Sequence, residues 1–107
     1  MAAGEVVVEA PAEGQVVEVS VGGEPVVIGR CGGRVFALDG YCPHAGGMLA
    51  EGTLDGSKLR CPLHDWGFDV HTGACDAAPS LSVPVVPIRE EDGRVVVGPV
   101  AGAAALR

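Results

Sequence analysis

Two short segments limit most tightly what this chain can fold into: Cys42-Pro43-His44 and, after sixteen intervening residues, Cys61-Pro62-Leu63-His64. Each carries one thiol and one imidazole. Between them lies Asp55-Gly56, one of the strongest two-residue hairpin signals, flanked by strand-forming residues at 53–54 and 57–60. A tight turn there sends the chain back antiparallel, so the segments on either side of it come close and their four side chains face one another.

The rest of the sequence reads as a run of hairpins. Residues 26–30 and 34–38 are β-favouring and flank Cys31-Gly32-Gly33, and 83–88 and 94–97 flank Glu91-Asp92-Gly93 in the same style. Pro84 and Pro87 mark the first strand of the second pair as an edge or an irregular one, because proline donates nothing to a ladder. Residues 5–9 and 15–21 add two earlier strands, for about seven to ten in all. No stretch repeats apolar residues at helical spacing, and with 17 Gly and 8 Pro the expectation is an all-β sandwich or barrel. At 107 residues the chain makes one domain, spanning 1–107, with a tail at 101–107 that frays.

Charge and termini exclude several roles. The net charge of −7, with seven scattered Lys and Arg, argues against nucleic acid. An acidic surface suits a basic partner, or simply keeps the protein dissolved. Residues 1–14 hold three Glu and no basic residue, unlike a secretory signal, and the apolar stretch 99–106 is too short to span a bilayer, which predicts a cytoplasmic protein with no membrane role.

The ligand order within each Cys/His segment is informative. A structural zinc site usually pairs Cys with Cys and His with His, whereas here each segment supplies one of each. A 2Fe-2S cluster in which one iron takes two thiolates and the other two imidazoles needs that mixed supply. Cys42, His44, Cys61 and His64 are therefore the candidate ligands.

The chain resembles the Rieske-type ferredoxins from about residue 25 to 97. Besides the four ligands, the likeness is carried by Pro43, Gly46-Gly47, Leu49, Gly52, Pro62, Phe68-Asp69 and Thr72-Gly73. It implies three stacked antiparallel sheets with a two-loop cluster-binding cap at about 41–69. It also implies that His44 and His64 bind iron through Nδ1 and show their other nitrogen at a tip where a redox partner docks. High-potential relatives carry a Ser and a Tyr, two and four residues after the second His, that donate hydroxyl hydrogen bonds to sulfur. Here those positions are Trp66 and Phe68, and the positions of the relatives' loop-clamping disulfide are Gly47 and Leu63. A low potential is expected, near the bottom of the Rieske range at about −150 mV.

Other residues support two readings each. Gly46 and Gly47 either let backbone N–H groups approach the sulfurs or are turn glycines. Trp66 is a hydrophobic lid or a partner contact. Ala77-Ala78-Pro79 matches a cluster-covering loop of relatives or is an ordinary connection. Asp65 either tolerates a left-handed conformation or depresses the potential. His71 reads as a surface residue, and Cys31 and Cys75 as reduced, partly buried thiols with a bridge between them left open.

A Rieske oxygenase needs a second, mononuclear iron site, and only His71 is unspent, so the chain carries no catalytic site of its own. The resemblance implies a one-electron carrier between a flavin reductase and a terminal oxygenase. The alternative is the small Rieske subunit of an assimilatory nitrite reductase, with that enzyme's large subunit as partner. A module in which a metal merely holds the loops together is the third class.

Overall fold

The computed structural model describes residues 4–40, 49–61, 66–76 and 82–99. Nine strands are found among them: β1 (Val6–Glu9), β2 (Val16–Val21), β3 (Glu24–Cys31), β4 (Arg34–Asp39), β5 (Thr53–Asp55), β6 (Lys58–Arg60), β7 (Gly67–Asp69), β8 (Ile88–Glu91) and β9 (Arg94–Val97). One 3₁₀ turn, Leu49–Glu51, precedes β5. The strands form three antiparallel sheets, ordered β1-β9-β8, β2-β3-β4 and β5-β6-β7. No helix among the described residues is long and apolar enough to cross a membrane.

Alternation along the central sheet explains the layering. On β3 and β4, Val27, Phe36 and Leu38 point to one face, while Val26, Ile28 and Ala37 point to the other. The first face packs on Leu59, Cys61, Phe68, Val70, Cys75 and Val83. The second packs on Val86, Val95 and Val97. The β2-β3-β4 sheet is therefore the middle of a three-layer stack, as the family resemblance implies.

Turn chemistry sets the registers. Gly22-Gly23, Gly32-Gly33 and Asp92-Gly93 each hold two successive positive φ angles, the requirement of a type I′ hairpin turn. Cys31 and Glu91, expected within their turns, instead close the ladders as the partners of Arg34 and Arg94. The β5–β6 turn is displaced by one residue from Asp55-Gly56 to Gly56-Ser57, with Asp55 paired to Lys58. Only Gly56 of that pair has positive φ, at 62°, which fits a type II′ turn with glycine first and sets Leu54 directly opposite Leu59.

Two further differences concern the second half. Residues 83–87 do not form a strand. They run along the edge of β4 through Asp39 N–H to Pro84 O (2.9 Å) and Val86 N–H to Ala37 O (2.9 Å), with Val85 bridged to Leu38. Pro84 and Pro87 have no N–H with which to continue the ladder, so the regular strand starts only at Ile88. The short strand β7 was not expected from residue pattern, since only three residues pair with β6. The expected tail, 101–107, lies outside the described residues.

Candidate metal centre

Among the described residues, backbone hydrogen bonds join the pairs that flank 41–48 and 62–65. Leu49 N–H donates to Gly40 O (2.8 Å), and Cys61 N–H donates to Trp66 O (2.8 Å). Gly52 brings these pairs together. Its N–H donates to Leu49 O (2.9 Å), and a Cβ on it would stand 1.9 Å from Arg60 O, the residue before Cys61. Only glycine permits that approach, which places the Leu49–Gly52 turn against the residue before Cys61.

The floor beneath both pairs is apolar. Leu49, Leu59, Cys61, Phe68 and Cys75 are buried in one cluster, with Ala50 and Trp66 packed against it. Trp66 is half-buried and packs against this cluster. Phe68 is completely buried, so its ring is core, in the same cluster as Cys61.

A tight turn after β7 brings a further segment alongside. Asp69 Oδ1 accepts the N–H groups of His71 (2.9 Å) and Thr72 (3.0 Å), and Gly73 N–H donates to Asp69 O (2.7 Å). Partial burial pushes the Asp69 carboxyl up, but these hydrogen bonds outweigh it and hold the group below its ordinary range. Gly73 takes φ +80°, and a Cβ there would lie 2.1 Å from Val83 O, which accounts for glycine after Thr72. The returning chain then pairs with β7: Asp69 N–H donates to Ala74 O (2.9 Å), Cys75 bridges Phe68, and Asp76 N–H donates to Gly67 O (2.8 Å).

Of the four candidate ligands, Cys61 is described, immediately after β6, 1% exposed and in no disulfide. Cys42, His44 and His64 lie outside the described residues, as do Gly46, Gly47, Asp65, Ala77, Ala78 and Pro79. His71 is half-buried rather than a plain surface residue, because its ring meets Phe36 edge-on at 6.3 Å. Cys31 and Cys75 are free thiols, the former half-buried with Sγ 3.1 Å from Gly56 O, the latter buried. The contacts of Asp76 were not foreseen, because they depend on the β6–β7 register and not on spacing.

The donor chemistry fits an iron–sulfur cluster of mixed ligation. A buried, unpaired thiol stands where one segment leaves the apolar floor, and the two adjoining segments carry one further thiol and two imidazoles.

A profile of the Rieske 2Fe-2S domain matches residues 5–97. The chain is 34% identical over 86 residues to the ferredoxin component of the naphthalene 1,2-dioxygenase system of Pseudomonas putida, covering 79% of this chain and 83% of that protein. Its fold is similar to the ferredoxin of carbazole 1,9a-dioxygenase from Nocardioides aromaticivorans, with a TM-score of 0.82 and 31% identity over 90% of this chain and 98% of that one. It is equally similar, at a TM-score of 0.82 and 30% identity over 92% of this chain and 95% of that one, to a chain in the complex of reduced oxygenase and oxidized ferredoxin of carbazole 1,9a-dioxygenase. A chain of three stacked sheets, matched by this profile over nearly its whole length, belongs to the Rieske 2Fe-2S family and carries one Rieske-type cluster.

Proposed function

We propose that Cys42, His44, Cys61 and His64 hold the cluster and that the chain is the ferredoxin component passing single electrons from a flavin reductase to a terminal oxygenase. The observation that carries this reading is that the residues flanking the two ligand-bearing segments meet on one apolar floor, with Cys61 buried among them. When bound, such a cluster exchanges one electron, and its two neutral imidazoles oppose uptake less than two more thiolates would.

The protein's own groups supply position and environment. Cys61 is held by the Trp66 carbonyl at one side and by the Gly52–Arg60 contact at the other. Phe68 is buried in the apolar floor, Trp66 packs against it, and neither would offer a hydroxyl donor to a bound cluster, which favours a low potential of about −150 mV. Gly46 and Gly47, lacking side chains, would leave room for backbone N–H groups to approach sulfur, and Pro79 would belong to the stretch that matches the relatives' cluster-covering loop. The unit is a single domain over 1–107 and works in the cytoplasm.

Transfer kinetics with partner proteins test the function. A dioxygenase-type flavin reductase with NADH should reduce the holoprotein by one electron per chain, and a terminal oxygenase should reoxidise it. Failure of both steps, with support of nitrite reduction by a nitrite reductase large subunit, would move the assignment to the alternative. A midpoint above roughly zero would overturn the low-potential reading.

A further inference from the structure

Asp76 makes contacts for which the ligand assignment has no use. Its N–H donates to Gly67 O (2.8 Å), and its Oδ1 accepts Gly67 N–H (2.9 Å), so the two residues are doubly joined. Its Oδ2 faces Lys58 Nζ at 3.3 Å and the Arg60 guanidinium at 3.6 Å.

The positions of these partners matter. Arg60 immediately precedes Cys61. Gly67 follows Trp66, whose carbonyl accepts the Cys61 N–H. Asp76 itself directly precedes Ala77-Ala78-Pro79 in the chain. One carboxylate thus joins residues on either side of the junction around Cys61.

Gly67 is buried, so its N–H has no water to turn to if the carboxylate is removed. A Cβ on Gly67 would stand 2.8 Å from Asp76 Oδ2 and 3.2 Å from the Arg60 guanidinium, so the grip also requires glycine there. Asp55 offers a contrast: it meets the same arginine at 3.1 Å but from an exposed side chain and the β5–β6 turn. An exposed pair of that kind contributes little.

We propose that Asp76 is a positioning residue for the cluster, holding the junction around Cys61 by accepting the Gly67 N–H on one side and pairing with the Arg60 guanidinium on the other. The proposal rests on the assignment of Cys61 and His64 as ligands. A residue that orients a metal ligand without touching the metal typically changes metal retention by about 10- to 100-fold when removed.

The test uses the holoprotein and two readouts, the rate of iron release to a chelator and the EPR g values after dithionite reduction. Asp76→Ala should release iron about tenfold faster and shift the g values. Asp76→Asn keeps an acceptor for Gly67 and should stay within about threefold of wild type, while Asp55→Asn should not differ from it. Wild-type behaviour of Asp76→Ala would overturn the proposal, as would an equal effect of Asp76→Asn or Asp55→Asn. If Asp76→Ala does not accumulate, Gly67→Ala disturbs the same grip and decides the matter: faster release supports the proposal and unchanged release overturns it. His64→Ala with an intact wild-type spectrum would instead sink the ligand assignment itself, whatever Asp76 does.

Discussion

The two faces of the central sheet are built by different means. Toward β1-β9-β8 the contact is uniform, with Val21, Val26, Ile28, Ala37, Val86, Val95 and Val97 forming a core of small branched side chains. Its partner strands meet in complete four-residue registers. Toward β5-β6-β7 the strands are three residues long, and the core mixes two phenylalanines with two thiols. Close glycine contacts at Gly52, Gly67 and Gly73 take over what long ladders do elsewhere. The first face obtains its shape mainly from strand alternation, with a tight glycine approach at Gly98, whereas the second leans on several such approaches, and the proposed ligand Cys61 lies on the second.

The sharpest way to break this contrast is at the ligands. His44→Ala or His64→Ala should abolish the native visible spectrum completely, whereas His71→Ala, against Phe36, should leave it unchanged. Bleaching by His71→Ala would show that the ligand set is drawn wrongly. Core truncation gives the next effect. Phe68→Ala should cost about 3–5 kcal/mol and Ile28→Ala about 2–5 kcal/mol in denaturant unfolding. Only the first should also move the midpoint potential, and a shift from Ile28→Ala would mean that the valine-rich face reaches the redox site.

Gly52→Ala forces a methyl group to within 1.9 Å of a carbonyl oxygen unless the chain moves. About 1–3 kcal/mol of stability should be lost, together with faster iron release, because the Leu49–Gly52 turn must move away from the residue before Cys61. Gly32→Ala, at φ +64° with open space around it, should cost about 1–2 kcal/mol from backbone conformation alone and leave iron release unchanged. Equal iron release from the two variants would remove the special role given to the Gly52 contact.

The smallest effect lies at the hairpin end of the central sheet. Glu13 accepts the N–H groups of Gly33 and Gly32 (2.8 Å each), and these bonds, with the Arg30 charge, hold its carboxyl below the ordinary range against a small opposing effect of desolvation. The folded state therefore prefers the ionised form. That stability is fully present above the ordinary Glu value near pH 4 and is lost as pH falls through the lower folded value. Glu13→Gln should show a shallower decline of the urea midpoint between about pH 5 and pH 3 than wild type. Identical declines would show that the clamp does not distinguish folded from unfolded chain.

What the sequence revealed follows the same division. Alternating valines and glycine turns are local signals, so β1 through β4, β9 and the turn before β9 were legible within a few residues. The ligand pattern was legible because four side chains of the right chemistry stand at telling intervals. The β5–β6 turn was misplaced by one residue because Asp55-Gly56 and Gly56-Ser57 both satisfy a hairpin, and the pairing of Leu54 with Leu59 separates them. Strand β7 and the grip of Asp76 on Gly67 were not legible, since each depends on where β6 leaves its neighbour. Residues 83–88 looked like a strand by composition, but two missing donors decide otherwise.

Because β1 lies against β9 across the middle layer from the cluster floor, the molecule has a natural back side. The Asp92-Gly93 turn on that side meets no neighbour that an added Cβ on Gly93 would strike. A tether or electrode linker inserted there would hold the protein by the layer opposite Cys61 and leave the layer that carries Cys61 open to whatever approaches from solution.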